Sequence, residues 1–204
     1  MHLADNQPDL PGLGDIPAAI ARAAHRAPGL ATCPVDHVAL CVEAANLPRY
    51  VEQVVQQLPA ARVSDYCIGD RGSGMRIVEL RDVAAAVHLV LAAPTGSRGQ
   101  LVEFLALTGA EGLQHIAFAV PDARAAVAEL AARGLRFEGG ADAPERAVIE
   151  ARDGDNWVRQ AFTEPLFDGF FIEVIERRGI LGMRARNIDA LYALKAQGEH
   201  RMAS

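Results

Sequence analysis

One lysine, Lys195, stands in a chain of 204 residues, and Lys plus Arg total 20 against 26 Asp plus Glu. The resulting net charge of −6 excludes the basic surface that nucleic acid or an anionic membrane would require. The preference for arginine over lysine, beside abundant alanine, reads as a GC-rich coding bias and carries no function. Cysteine is also scarce: Cys33, Cys41 and Cys67 form no Cys-x-x-Cys pair. An odd count without a secretory leader points to free thiols in a reducing cytoplasm. The N-terminus lacks a basic stretch followed by an apolar run, so no signal peptide is expected. No apolar run approaches membrane-spanning length.

What the chain does have is apolar residues, 50% of the total, enough for one large domain or two small modules. Residues 1–34 read as a polar lead-in and a short helix that Asp15 caps, with Pro17 in its first turn and an end near Arg26. A strand Val35–Val42 follows. Asn46 then caps a helix with the apolar stripe Leu47, Tyr50, Val51, Val54, Val55 and Leu58. Strand-like runs Arg62–Ile68, Met75–Arg81 and Ala85–Leu91 come next, then a short helix over about Gly99–Leu107. The order then restarts. A strand Leu113–Val120 precedes a helix that Pro121-Asp122 opens and Gly134 stops. Strand-like runs return at Leu135–Glu138, Ala147–Ala151, Trp157–Thr163 and Gly169–Arg177, with a hairpin turn at Asp153-Gly154. A last helix is expected over about Asn187–Ala196.

Each half therefore reads β-α-β-β-β, with module 1 over about 35–107 and module 2 over about 108–177 of one domain spanning 35–204. The repeat is visible in residues. His37-Val38-Ala39-Leu40-Cys41-Val42 matches His115-Ile116-Ala117-Phe118-Ala119-Val120 at an offset of 78 (115 − 37), and a repeat of this kind fixes architecture more firmly than any single motif. The expected fold is α+β: helices cover one face of each module, and the other faces curl into a shared cleft.

Strand alternation places Val38, Leu40 and Val42 on one face and His37, Ala39 and Cys41 on the other. In the repeat, His115 shares a face with Ala117 and Ala119. One histidine among small residues on each face leaves room for a ligand. Glu173 sits alone in the apolar run Phe171-Ile172-Glu173-Val174-Ile175, where a carboxylate is costly to bury unless something positive meets it. Two imidazoles and one carboxylate form the ligand set of a mononuclear non-haem Fe(II) site with open positions. Other readings stand beside it: each histidine as a satisfied core residue, and Glu173 paired with Arg62, Arg76 or Arg159. His88, near the position that mirrors Glu173, would be a fourth ligand.

The stretches Val35-Asp36-His37-Val38, Gly112-Leu113-Gln114-His115-Ile116-Ala117 and Gln160-Ala161-Phe162-Thr163-Glu164-Pro165-Leu166-Phe167-Asp168, continued by Phe171-Ile172-Glu173-Val174-Ile175-Glu176-Arg177, carry a family resemblance. The chain resembles, from about Val35 to Ala196, the C-terminal, iron-binding half of the 4-hydroxyphenylpyruvate dioxygenase and hydroxymandelate synthase family, within the vicinal-oxygen-chelate superfamily. The resemblance implies a half-barrel of two βαβββ modules with helices outside. It implies His37, His115 and Glu173 as Fe(II) ligands, and Gln100, Gln114 and Gln160 around a substrate. It implies Phe162 and Phe171 as aromatic walls, and Asn187, Leu191 and Tyr192 on a helix that closes the pocket. Ile188 stands where the dioxygenases carry phenylalanine, which is more like the mandelate-forming branch.

The chain departs from the family at several places. The family's metal-free N-terminal half has no counterpart in residues 1–34, and its loss would expose a surface that a second copy of the chain could cover. The segment from His115 to Glu173 is shorter than the family's, at 58 residues (173 − 115). Pro94-Thr95-Gly96-Ser97 replaces a Pro-x-Asn-Glu stretch, and Ile77 replaces a pocket serine. The implied chemistry is oxidative decarboxylation and hydroxylation of a 2-oxo acid with dioxygen. A divalent-metal lyase or isomerase would use the same three residues, and a non-catalytic small-molecule binder would need none of them.

Overall fold

The computed structural model describes residues 10–179 apart from 12–13, 58–59, 70–71, 83–87 and 141–142. The expected helix over 187–196, with Asn187, Ile188, Leu191 and Tyr192, lies outside the described residues. Among the described residues eight strands form one sheet: β1 (Val35–Cys41), β2 (Ala60–Ile68), β3 (Met75–Asp82), β4 (His88–Pro94), β5 (Gly112–Ala119), β6 (Ile149–Asp153), β7 (Asn156–Phe162) and β8 (Phe171–Arg178). Their order is β2-β3-β4-β1-β5-β8-β7-β6. Each module is thus a four-stranded unit in which the first strand runs parallel to the last. The modules join where β1 and β5 pair antiparallel.

Among the described residues four α-helices accompany the sheet: α1 (Ile16–Arg26), α2 (Leu47–Gln57), α3 (Gln100–Thr108) and α4 (Ala123–Ala132). One large core lies between α1, α2, α4 and the outer face, where Val38, Leu40, Val42, Ile116, Phe118, Ile172 and Val174 are buried. Each fully buried Leu, Ile or Phe there contributes roughly 1.5–3 kcal/mol. The α2 stripe is narrower than its sequence suggests: Leu47, Tyr50, Val51 and Val54 are buried, but Val55 is exposed. α3 behaves differently from the other three. Its Leu101 and Phe104 pack against Ala39, Cys41, Ile77, Val90 and Ala92, on the inner face of module 1. Small residues on that face leave the space for it, and Cys41 Sγ donates to Leu101 O.

Two expected caps differ in detail. Asp122 caps α4 by accepting from Ala125 N at 3.0 Å. Asp15 makes no such bond because its own backbone is already helical, with φ −87° and ψ −12°. Asn46 donates its side-chain amide to Glu111, which also accepts from Glu43 N and Tyr50 Oη. Glu111 thereby ties the start of α2 to the start of β5. The expected strand Leu135–Glu138 is reduced to one bridge, Phe137 to Thr163, because the chain turns at once through Gly139, whose φ is +72°. Among the described residues no helix is long and apolar enough to cross a membrane.

Candidate metal centre

The two histidines reach the inner face from strands that are each interrupted just before them. β1 pairs Val35 with Phe118 and then His37 with Ala117, so Asp36 is an extra residue; β5 pairs His115 with Ala39 and then Leu113 with Leu40, so Gln114 is extra. These are β-bulges, one per module, and a bulge re-aims the side chain beside it. Strict alternation would send Asp36 and Gln114 to the opposite face from their histidines. Instead Asp36 Oδ1 lies 2.8 Å from His37 Nδ1 and Gln114 Oε1 lies 3.3 Å from His115 Nδ1.

With Nδ1–H of His37 donated to Asp36, its Nε2 lone pair turns to the cleft. There His37 Nε2 stands 3.3 Å from His115 Nε2 and 3.3 Å from Glu173 Oε2, and His115 Nε2 stands 3.4 Å from the same oxygen. The three atoms form a nearly equilateral triangle. Its edges suit adjacent ligand atoms around one ion with bonds of about 2.1 Å. His37 and Glu173 are fully buried. Glu173 Oε2 has no hydrogen-bond partner among the described residues, an expensive state for a buried carboxylate oxygen. A cation facing that oxygen and both imidazoles removes the cost. Among the described residues, His37, His115 and Glu173 are the group whose ligand atoms could hold a metal ion.

The electrostatics agree with a cation site. Burial alone would lower the His37 pKa, but the facing Glu173 carboxylate and the Asp36 hydrogen bond outweigh it and raise it to about 9. Burial would raise Glu173, yet the two imidazoles hold it well below the usual carboxylate range. Asp36 is likewise held low, against burial, by His37 and by Arg177. A metal-free site is therefore protonated at neutral pH, and metal binding would release that proton.

Gln160 sits fully buried on β7 and donates its amide to Glu173 Oε1, the oxygen turned away from the imidazoles. Its own Oε1 has no hydrogen-bond partner among the described residues. Phe171 stacks on His115 with ring centres 4.7 Å apart, and Phe162 meets Phe171 edge-on at 6.0 Å. Gln100 opens α3 and is exposed. Of the arginine partners considered for Glu173, Arg76 is engaged with Asp65 and Arg159 with Glu150 and Glu176, and the side chain of Arg62 lies outside what the structure describes.

His88 pairs in register with His37, whereas Glu173 pairs with Ala117. Since Ala117 repeats Ala39, the counterpart of Glu173 is Val90, which pairs with Ala39. His88 mirrors Phe171 instead, and its Nε2 takes a hydrogen bond from Arg81 Nε at 3.2 Å. Burial, and then the Arg81 charge, lower its pKa to about 4.

Asp36 and Arg177 are what strand alternation could not reveal. Arg177 donates Nε and Nη2 to the two oxygens of Asp36, each at 2.9 Å. The signal in sequence was only the acid immediately before a strand histidine.

Comparison with known proteins gives a consistent family. The description "Glyoxalase/Bleomycin resistance protein/Dioxygenase superfamily" matches residues 36–160. A 4-hydroxyphenylpyruvate dioxygenase-like protein of Rattus norvegicus is 27% identical over 80% of this chain and 57% of its own length. A 4-hydroxyphenylpyruvate dioxygenase of Neurospora crassa is 28% identical over 49% of this chain and 31% of its own. This chain thus spans little more than half of the first relative and about a third of the second. Among solved structures, a mutant 4-hydroxymandelate synthase from Streptomyces coelicolor superposes with TM-score 0.70 at 29% identity, covering 83% of this chain and 54% of that one. Methylmalonyl-CoA epimerase from Mycobacterium tuberculosis gives TM-score 0.52 at 26% identity, covering 70% and 86%. With its paired modules, shared inner face and matched sequence, the chain belongs to the glyoxalase/bleomycin resistance protein/dioxygenase superfamily.

Proposed function

We propose that this protein is a non-haem Fe(II)-dependent dioxygenase that acts on a 2-oxo acid, by oxidative decarboxylation and hydroxylation in the manner of the 4-hydroxyphenylpyruvate dioxygenase family. The observation that carries the reading is the buried triangle of His37 Nε2, His115 Nε2 and Glu173 Oε2, whose carboxylate oxygen lacks a hydrogen-bond partner among the described residues. Bound there, Fe(II) would supply the activation of dioxygen and a chelating position for the substrate's carboxylate and keto oxygens.

The chain's own part is geometry and dryness. His37, His115 and Glu173 hold the ion, and Gln160 fixes the carboxylate by its outer oxygen. Phe171 and Phe162 wall the site with apolar rings, which keeps water from the reacting atoms. Gln160 Oε1 and the Gln114 amide offer hydrogen bonds to substrate. Gln100, Asn187, Ile188, Leu191 and Tyr192 are the further substrate-contact candidates, and the cytoplasm is the proposed compartment.

The epimerase likeness supports a second reading, a divalent metal acting as Lewis acid on an enolisable substrate without oxygen. Oxygen consumption separates the two. Anaerobically purified, Fe(II)-loaded protein is expected to take up oxygen and release carbon dioxide with at least one member of a 2-oxo acid panel. Fe(II) binding without oxygen uptake on any of them, together with Co(II)- or Mn(II)-supported isomerisation, would overturn the dioxygenase reading.

A further inference from the structure

β8 touches the candidate metal centre twice. Glu173 faces both imidazoles directly. Arg177, four residues on and so on the same face of the strand, reaches back across the sheet to β1. Its two parallel hydrogen bonds to Asp36, both 2.9 Å, are the planar, two-pronged arrangement that fixes a carboxylate most firmly. Both side chains are only 15% exposed, so solvent screens the pair little. The oxygen that Arg177 Nη2 holds, Asp36 Oδ1, is the one that faces His37 Nδ1 at 2.8 Å. The bulge at Asp36 makes this relay possible by turning the acid toward its own histidine. In module 2 the equivalent bulge residue is Gln114, a neutral amide at the longer distance of 3.3 Å.

We propose that Asp36 and Arg177 are positioning residues of the metal centre. Arg177 locks the Asp36 carboxylate; Asp36 fixes the tautomer and ring direction of His37 and strengthens it as a donor. The relay ties the module 1 imidazole to the strand that carries the module 2 carboxylate. Among the described residues the outer support of the ion is therefore unequal: charged and bidentate behind His37, a neutral amide behind His115. The inference rests on the triad being a metal site, and it is independent of which substrate the site takes.

Equilibrium binding of Co(II) and Fe(II) to metal-free protein tests it, alongside thermal melting and the proton NMR spectrum of the Co(II)-loaded form. Asp36→Asn is expected to weaken binding about 10–100-fold, and Arg177→Met to weaken it in the same direction. Arg177→Lys should restore only part of the loss, because an ammonium cannot make the paired contact. Gln114→Ala should cost less than Asp36→Asn. In the Co(II) spectrum, the exchangeable ring N–H of His37 should be slow to exchange in wild type and lost or displaced in Asp36→Asn. These readouts separate positioning from mere bracing, which would lower the melting temperature and leave the ion's affinity and the ring N–H signal alone.

Folded Asp36→Asn and Arg177→Met proteins that bind Co(II) as tightly as wild type would overturn the proposal, and equal losses in Asp36→Asn and Gln114→Ala would overturn the asymmetry. Wild type that binds neither ion would remove the metal reading and this inference together. Intact relay effects without oxygen uptake on any 2-oxo acid would leave this inference standing while the dioxygenase reading fell.

Discussion

Module 1 and module 2 share a strand order, a bulge and a histidine, yet only module 2 contributes a carboxylate to the His37–His115–Glu173 cluster. Position by position, Val90 in module 1 stands where Glu173 stands in module 2, Glu79 where Phe162 stands, and Ile77 where Gln160 stands. Duplication alone supplies two facing imidazoles. A symmetric pair of carboxylates would add a fourth protein ligand and occupy a position that substrate or dioxygen needs. Asymmetry at one residue pair, Val90 and Glu173, would leave the coordination sphere of an ion bound there open. The inner walls diverge too. Module 2 offers stacked and edge-on aromatic rings. Module 1 buries Glu79, which accepts from Tyr66 Oη at 3.1 Å, and His88 beside Arg81.

The comparison can be broken most severely by making module 2 copy module 1. Glu173→Val is expected to abolish Fe(II) binding and oxygen uptake, read by metal analysis and an oxygen electrode, while circular dichroism shows the fold retained. The converse change, Val90→Glu, should keep the metal but remove most turnover, because a second carboxylate, the fourth protein ligand, reaches the open side. In the metal-free form it should also destabilise the protein by about 3–5 kcal/mol, the cost of a buried charge without a partner, measurable by urea unfolding. A smaller loss is expected from Phe171→Ala, which deletes the ring stacked on His115. About 3 kcal/mol of stability should go, and KM for the 2-oxo acid should rise more than kcat falls.

A gentler test uses two histidines paired in register across β1 and β4, whose environments push them in opposite directions. His37 is raised to about 9, so its contribution to the metal-free fold is present in full below its unfolded value near 6.5 and lost as pH rises through about 9. His88 is lowered to about 4, so the fold loses stability as pH falls from about 6.5 toward 4, where only the unfolded state takes up the proton. Melting temperatures of metal-free protein should fall on both sides of neutrality. His88→Leu should blunt the acid limb alone, and saturating Zn(II) should blunt the alkaline limb. The smallest effect belongs to the outer hairpins, where Arg76–Asp65 in module 1 matches Arg159–Glu150 in module 2 as cross-strand ion pairs. Asp65→Asn should change stability by under about 1 kcal/mol, since that pair is exposed and screened.

Much of this was readable from the chain. The 78-residue repeat, the two histidines on small-residue faces and the lone strand carboxylate led to the architecture and to the triad, because alternation and periodicity act locally. Asp36 and Arg177 escaped for a physical reason. A bulge depends on how two strands pair, not on either strand's own pattern, and it reverses the face that alternation assigns. The inward turn of α3 escaped likewise, since its apolar residues would suit either side of the sheet. His88 looked like a counterpart of Glu173 until register placed it two residues away from that position. Gln160 is a substrate contact by resemblance; what the sequence did not show is that its amide nitrogen bonds Glu173, while its Oε1 has no hydrogen-bond partner among the described residues.

The most direct test is anaerobic Fe(II) titration of metal-free wild type beside Glu173→Val, with the proton balance recorded in the same calorimetric run. The account predicts a single tightly held ion per wild-type chain with proton release at neutral pH, and neither in the variant. Equal iron uptake by the two proteins, or uptake without release of a proton, would contradict it.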